Sequence, residues 1–240
     1  MRRFRPLLAT IAILVVTVAS CASGNNRIRQ ASLDAPPLAA QRDASQPVGP
    51  DAEELIQDMD VAVQVVNNYW NTHWSEFFTG TYTPPRVVGL YDASTSGGGP
   101  TCGGRPSPPD NALYCSTGED FLAWDAALMA KGAQFGDSWV YLVIAHEWAH
   151  AIQYRLSKDL QTLDAELQAD CLAGAVLYGA ARDGTLQFEQ GDEREITIGL
   201  TRLADETPWT QEGDHGDAFE RIQSFALGRK GGVPACLPGA

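Results

Sequence analysis

Apolar residues recur at helical spacing through most of the chain after residue 50. The first such segment, Asp51–Phe78, has large apolar side chains on one side of a helix: Leu55, Met59, Val63, Val66, Trp70 and Trp74. Further helical patterns begin near Ser138 and cover about Leu163–Arg182, Gln190–Ala204 and Ala218–Leu227. The spacing therefore predicts a domain that is mostly helical.

A different pattern separates the first helix from the second. Arg86–Tyr91 follows the Pro84-Pro85 break and is typical of a strand, and shorter strands are predicted around Ala112–Cys115 and Phe121–Trp124. A loop rich in glycine and proline, residues 94–110, lies between the first strand and the other two. We therefore predict an α+β fold, mostly helical, with a small sheet before the helix that begins near Ser138.

The first fifty residues differ from the remainder. A basic start is followed by an apolar run from Leu7 to Val18 and by a Val-Ala-Ser-Cys sequence that ends at Cys21. This sequence is similar to a bacterial lipobox, which implies that residues 1–20 are a lipoprotein signal peptide and that Cys21 carries the lipid. The alternatives are an uncleaved anchor and an ordinary secretory signal. Residues 21–50 lack apolar periodicity and predict a disordered tether, which leaves residues 51–240 as one domain.

The charge of the chain narrows the range of partners. The formal net charge is −13, and removal of Arg2, Arg3 and Arg5 with the signal peptide makes it −16. Such an acidic surface is unsuited to nucleic acid and is repelled by anionic lipid headgroups. Attachment to a membrane would therefore come from the lipid at Cys21. We expect an exported protein on the extracytoplasmic face of the cell membrane.

Four cysteines follow Cys21, at positions 102, 115, 171 and 236. An even number in an exported chain predicts two disulfides, although four cysteines allow three pairings. We favour Cys102–Cys115, which closes the loop rich in glycine and proline. We also favour Cys171–Cys236, which joins the C-terminus to the Leu163–Arg182 helix.

The segment Val143–Gln153 contains an HExxH sequence formed by His146, Glu147 and His150. Residues four apart share a face of a helix, so the two imidazoles can bind one Zn²⁺. Glu147 then lies beside the metal, where its carboxylate can accept a proton from water. The alternative is a chance match in a buried helix.

A catalytic zinc ion usually has a third protein ligand. Glu166 and Asp170 share a face of the Leu163–Arg182 helix, and the break at residues 157–159 favours an antiparallel helix pair that returns Glu166 to the histidines. We interpret Glu166 as the third ligand and Asp170 as an acceptor for a ligating histidine's other N–H. The alternatives are a solvated acidic stripe and Cys171 as the ligand, but Cys171 lies about 140° around the helix from Glu166.

HExxH followed by ExxxD resembles the gluzincin arrangement of metallopeptidases. The strings IAHEWAHAIQ and ELQADCLAG, with His215-Gly216, Arg221 and Phe225 after them, resemble the bacterial neutral zinc metallopeptidase family. The resemblance covers roughly residues 84–236. It implies a zincin-like fold, one zinc ion and a peptide or protein substrate. The family often has a further histidine where this chain has Ala151, and glycine where it has Ala149.

Other histidines are weaker candidates. His215 lies between Asp214 and Asp217, which could favour its protonated form, and it could donate to the oxyanion of a tetrahedral intermediate. Alternatively, His215 caps the last helix, and the hydrogen-bond donor to the oxyanion is Arg221, Tyr154 or Tyr178. His73 lies near the apolar side of the first helix and is interpreted as a core or boundary histidine, not a fourth ligand.

These patterns favour a zinc-dependent endopeptidase or related amide hydrolase. The zinc bound by His146, His150 and Glu166 would polarise the scissile carbonyl, and Glu147 would transfer the proton to the leaving amine. A rival hypothesis is a catalytically silent lipoprotein with a structural zinc site that acts as a binding or adaptor protein. Glu147 argues against the rival, because a structural site needs no base.

Overall fold

The computed structural model describes residues 50–95, 97–162, 164–204 and 216–239. The predicted signal peptide, Cys21, nearly all of the tether and His215 lie outside the described residues. Within the described ranges, no helix combines the length and the apolar character needed to cross a membrane.

The helices confirm the prediction of a mostly helical domain. They are α1 (Pro50–Phe77), α2 (Ala126–Gly132), α3 (Ser138–Arg155), α4 (Ala165–Arg182), α5 (Asp192–Arg202) and α6 (Ala218–Gly231). Short 3₁₀ turns cover Ala133–Phe135, Lys158–Leu160 and Val233–Cys236. Helix α2 is absent from the prediction, because its seven residues are too few for a clear period. Asp125 begins it by accepting a hydrogen bond from the Ala127 N–H.

Between residue 50 and the HExxH helix, the described part of the chain contains five strands. They are β1 (Arg86–Tyr91), β2 (Thr101–Cys102), β3 (Arg105–Pro106), β4 (Ala112–Cys115) and β5 (Phe121–Asp125). A three-stranded sheet has the order β1-β5-β4, with β5 parallel to β1 and antiparallel to β4. Every residue of the central strand β5 is buried, whereas β4 lies at an edge. The mixed α+β fold with a small sheet before α3 is confirmed; the β2–β3 hairpin lies inside the predicted loop.

Helix α3 occupies the centre of the domain, where it packs against α1, α4, α5 and β4. Its apolar residues face all of these elements, so it has hardly any polar side. The largest core side chains include Trp70 of α1 and Ile144 and Trp148 of α3, all fully buried. His146, Gln153 and Glu147 are therefore polar residues on an otherwise enclosed helix, and each needs a polar partner or a solvent-filled cleft.

Helices α4 and α6 approach each other closely because glycines lie in their contact. A Cβ atom on Gly228 would overlap the Cys171 carbonyl oxygen, and one on Gly174 would overlap the Phe225 carbonyl oxygen. The short interaxial distance brings Arg221 of α6 against Asp170 of α4.

Both predicted disulfides are present. Cys102 and Cys115 join β2 to β4 with their Cα atoms 5.6 Å apart, and Cys171 and Cys236 join α4 to the last 3₁₀ turn with theirs 5.5 Å apart. The second bridge spans 65 residues and holds the C-terminal segment beside the helix that carries Glu166. It also excludes Cys171 as a metal ligand, as predicted.

Candidate metal centre

His146, His150 and Glu166 converge at the interface of α3 and α4. The Nε2 atoms of the two histidines are 3.2 Å apart. The carboxylate of Glu166 places Oε2 3.2 Å from Nε2 of His146 and Oε1 3.4 Å from Nε2 of His150. These residues form a group that could bind a metal ion. The antiparallel helix pair predicted from the sequence thus brings together the three predicted ligands.

The other ring nitrogen of each histidine has a partner of its own. Nδ1 of His146 lies 2.9 Å from Oδ1 of Asp170, and Nδ1 of His150 lies 2.8 Å from Oε1 of Gln153. When each Nδ1–H donates to its acceptor, the neutral ring presents an Nε2 lone pair to the shared point. Two lone pairs and a carboxylate directed at one point repel one another unless a proton or a metal ion lies between them.

Asp170 is the most buried acidic side chain of the centre, with no exposed surface. Arg221 donates to it twice, from Nε to Oδ2 and from Nη2 to Oδ1, both at 2.8 Å. Burial acts to raise the pKa of Asp170, but the hydrogen bonds from Arg221 and the nearby His146 outweigh it and lower the pKa. Asp170 is therefore an ionised acceptor held behind the His146 ring.

The carboxylates also act on the protonation of His146. Burial alone would lower its pKa, but the charge and hydrogen bond of Asp170, together with Glu166, raise the pKa to about 10. A metal ion that binds Nε2 therefore has to displace a proton from this ring. We expect metal binding to weaken as the pH falls.

Gln153 connects His150 to the start of α4. Its Nε2 donates to the Ala165 carbonyl oxygen at 2.6 Å and to Oε1 of Gln168 at 3.1 Å. Nε2 of Gln168 in turn donates to the carbonyl oxygens of Leu160 and Cys236. Hydrogen bonds through the buried amides of Gln153 and Gln168 thus connect the His150 ring to Ala165, the residue before Glu166, and to the first turn of α4.

A cleft opens beside His146. Its lining includes His146 and Glu147 of α3 and Arg221 of α6, together with Asp110, Asn111 and Ala112 at the start of β4. Glu147 is partly exposed and does not belong to the group of potential metal ligands. Its carboxylate therefore lies next to the centre, in a position open to a molecule in the cleft.

The backbone at Asp110 and Asn111, which lines the cleft, is held by the buried carboxylate of Asp125. Asp125 accepts a hydrogen bond from the Asp110 N–H at 2.6 Å, and its own N–H donates to the Asn111 carbonyl oxygen at 2.8 Å. The Tyr91 hydroxyl donates to carbonyl oxygens of Pro108 and Asn111. These bonds fix the backbone that leads into β4.

Arg221 lies behind the centre rather than free in the cleft. In addition to its two bonds to Asp170, it donates from Nη1 to the Leu203 carbonyl oxygen at 2.8 Å, and its side chain is 2% exposed. Its guanidinium therefore hydrogen-bonds to Asp170 and to the backbone. The sequence had suggested Arg221 as a competing oxyanion donor, a role that these bonds do not favour. The sequence also did not assign Gln153, although its position three residues after His150 places it on the same helical face.

The remaining candidates lie away from the centre. His73 is on α1, with Nε2 2.8 Å from Oδ2 of Asp183 and Nδ1 2.9 Å from Oε1 of Glu76. Tyr154 is 59% exposed, and Tyr178 stacks on Phe188; neither lines the cleft. The boundary position predicted for His73 agrees with this placement.

No protein-family model matches the chain, and neither the curated proteins nor the solved structures include one significantly similar to it.

Proposed function

We propose that this protein is a zinc-dependent hydrolase of peptide bonds with a zincin-like catalytic domain. The observation that carries the proposal is the convergence of two Nε2 atoms and the Glu166 carboxylate. Their separations are 3.2, 3.2 and 3.4 Å, and the outer nitrogen of each ring is already engaged. Zinc ligands His146, His150 and Glu166 would leave one position of a tetrahedral site open, as catalytic zinc requires.

The separations support zinc on size as well as on chemistry. Ligands bound at about 2.0–2.1 Å in tetrahedral geometry lie about 3.3–3.4 Å apart, close to the separations between these atoms. Two imidazole nitrogens also favour zinc or another first-row metal over Ca²⁺ and Mg²⁺, which prefer oxygen ligands. The set of donors and the spacing therefore fit zinc without further rearrangement of the helices.

A zinc ion in this position supplies a Lewis acid that polarises a peptide carbonyl and makes a water molecule more acidic. Glu147 accepts the proton of the attacking water and passes it to the nitrogen of the leaving amine. Its place beside His146 on the wall of the cleft suits this role. Asp170 and Gln153 hold the two imidazole rings in the orientation that directs Nε2 towards the ligand position.

The cleft suggests how a peptide would be oriented. Among the described strands, β4 pairs only with β5, so its other edge can accept main-chain hydrogen bonds from an extended segment. Ala112, the first residue of β4, lines the same cleft as His146. We propose that substrate binds along β4 with its scissile bond near Glu147.

His215 is proposed as the donor to the oxyanion. The alternative role of helix cap is weakened because Asp217 occupies it, accepting from the N–H groups of Phe219 and Glu220 in a capping box. We expect His215→Ala to lower kcat by on the order of 10²-fold while zinc content is retained.

We further propose that the protein is anchored outside the cytoplasmic membrane by lipid on Cys21. The mature wild type should fractionate with membranes and carry the added mass of acyl chains. Cys21→Ser should lose that mass. A mature N-terminus mapped elsewhere would contradict the lipid anchor.

The deciding experiment for the activity is hydrolysis of a mixed-peptide library by the purified protein. We expect cleavage that a zinc chelator abolishes and added zinc restores. Glu147→Gln should retain zinc but lose about 10²- to 10⁴-fold in rate, because it lacks the base. Glu119→Gln, an exposed carboxylate outside the centre, is the matched control and should cleave at the wild-type rate.

Cleavage that survives both the chelator and Glu147→Gln would contradict the proposed mechanism. A zinc-loaded wild type without activity on any peptide would favour the rival function, a binding protein with a structural metal site.

A further inference from the structure

The cleft beside His146 combines an apolar section with an acidic edge. Its apolar lining consists of four larger side chains and one alanine: Leu128, Leu142, Val143, Leu203 and Ala112. The empty space of the cleft is about 500 Å³, part of it open to solvent. A space of this size lies in the range of pockets that hold small organic groups, so it has room for a side chain of a bound peptide.

The apolar section adjoins Glu147, the proposed base. Leu142 precedes His146 by one turn of α3, and Val143 precedes Glu147 by the same interval. Leu142 and Val143 are 1% and 3% exposed, so they line the cleft from the core, whereas Leu128 of α2 is half-buried. A peptide whose scissile bond lies near Glu147 would therefore direct a neighbouring side chain into the apolar section.

The exposed charges of the described residues that line the cleft are negative. Arg221 is 2% exposed and donates to Asp170 and to the backbone, so its charge is already engaged. The side chain of Asp110, in contrast, is 53% exposed, and Glu147 is partly exposed. The formal net charge of the chain, −13, adds to the negative potential at these carboxylates.

Hydrogen bonds on both sides of Asp110 fix its backbone. The Asp110 N–H donates to the buried carboxylate of Asp125. The Tyr91 hydroxyl donates to the carbonyl oxygens of Pro108 and Asn111. Asp110 itself has a φ of 52°, a left-handed conformation that aspartate adopts more readily than most residues with a side chain. The Asp110 carboxylate thus extends from a rigid part of the chain, as a group that recognises a ligand requires.

Lys131 shows that an ammonium group can reach this carboxylate. Its Nζ lies 2.5 Å from Oδ1 of Asp110. Lys131 and Leu128 are three residues apart and therefore share a side of α2. The side chain of Lys131 is 63% exposed, and ion pairs exposed to this extent are weak. The basic end of a ligand can therefore replace Lys131 at Asp110 while its methylene groups contact Leu128.

We propose that the cleft selects a lysine or arginine residue next to the scissile bond, with its methylene groups against Leu128 and Val143 and its cationic end at Asp110. This inference rests on the proposed function and names the substrate class of that site. Lysine and arginine combine an apolar stem with a positive end. They therefore match apolar walls with an acidic edge, whereas an acidic side chain is repelled there.

The test starts from a peptide that the zinc-loaded full chain cleaves in the mixed library. The residues on the two sides of the scissile bond are replaced in turn by lysine, norleucine and glutamate. Norleucine shares the four-carbon stem of lysine but lacks the charge. On one side of the bond, we expect kcat/KM for the lysine peptide to exceed that for the norleucine peptide about fivefold. Added salt should reduce this ratio, and the glutamate peptide should be cleaved slowest.

Two substitutions at the ion pair should change the ratio in opposite directions. Asp110→Asn should bring it to about one, because the amide attracts no cation. Lys131→Gln should raise it, because the competing ammonium is removed. A merely structural ion pair would instead affect both variants and both peptides alike. Glu119→Gln, an exposed carboxylate that does not line the cleft, is the control and should keep the wild-type ratio.

The inference is overturned if Asp110→Asn keeps the wild-type ratio, or if the wild type cleaves the norleucine or glutamate peptide faster than the lysine peptide. Failure of the proposed function is distinguishable, because then no peptide is cleaved at all. In that case, calorimetry of the zinc-loaded protein with the intact lysine and norleucine peptides decides the inference. Tighter binding of the lysine peptide that Asp110→Asn abolishes supports it, and equal affinities overturn it.

Discussion

The two ends of α3 both gather acidic side chains, but they balance the charge differently. Near the C-terminal half, Asp170 receives two hydrogen bonds from Arg221 and one from His146, so its charge is compensated inside the protein. At the N-terminal end, Asp137, Asp192 and Glu195 place carboxylate oxygens within 4.8 Å of one another. Burial raises the pKa of Asp192 and of Glu195, and the charge of Asp137 raises both further. The comparison indicates that the first region balances its carboxylate with a cation, whereas the second brings like charges together and so disfavours their ionisation.

Removing Arg221, the cation that balances the charge of Asp170, should lower the free energy of unfolding more than any of the other substitutions. Arg221→Met leaves a buried carboxylate without its cation, and breaking such a pair costs about 3–5 kcal/mol. We expect urea unfolding at pH 7 to report a loss of that size. Asp170→Asn combined with Arg221→Met should be less destabilised than Arg221→Met alone, because no unpaired charge is left. Equal losses would mean that the pair does not balance charge.

Asp170 and Gln153, which accept hydrogen bonds from Nδ1 of His146 and His150, should each strengthen the binding of zinc. Asp170→Asn keeps the shape but weakens the bond to the His146 ring, so zinc affinity should fall by about 10- to 100-fold. Gln153→Ala removes the acceptor of His150 and should act in the same direction. Competition with a chromogenic chelator measures both. Wild-type affinity in both variants would show that these contacts do not orient the rings.

Ser138→Ala sharpens the comparison at the other end of α3. Burial raises the pKa of Asp192 and of Glu195, and hydrogen bonding from the Ser138 hydroxyl lowers it. Removal of the hydroxyl should therefore raise the pKa of both carboxyls, which NMR titration of their carboxyl carbons measures. Unchanged titration of both groups would show that the hydroxyl bonds to neither.

His73 provides a histidine between carboxylates that should bind a proton rather than a metal ion. Burial lowers its pKa, but Asp183 and Glu76 together raise it above the usual 6.5. Its contribution to stability is therefore complete below pH 6.5 and is lost as the pH rises through the folded-state pKa. His73→Gln should cost under about 1 kcal/mol at pH 6 and less at pH 9. A larger loss of unfolding free energy at pH 9 than at pH 6 would show that folding lowers the pKa of His73 instead of raising it.

The parts of the centre that could be predicted are those encoded in local spacing. His146 and His150 are one helical turn apart, as are Glu166 and Asp170, and the short break between α3 and α4 requires the two helices to return on each other. The strands β1, β4 and β5 were also visible as short apolar runs. Both disulfides followed from the cysteine positions once export was assumed.

The features that could not be predicted depend on distant parts of the chain. Arg221 reaches Asp170 from 51 residues away, and that contact requires the close packing of α4 and α6 at Gly174 and Gly228. The carboxylate of Asp137 likewise comes close to those of Asp192 and Glu195, on a helix that begins more than fifty residues later. No periodic pattern in the sequence records which helices become neighbours, so these pairings required the fold.

The most direct test of the central claim is the metal content and coordination shell of the purified wild type. Elemental analysis should find about one zinc per chain, and X-ray absorption should show only nitrogen and oxygen ligands at about 2.0–2.1 Å, including two imidazoles. His150→Ala and Glu166→Gln should each lose zinc, while Glu147→Gln retains it. A protein without zinc, or one with sulfur ligands at about 2.3 Å, would contradict the assignment of His146, His150 and Glu166 as the zinc site.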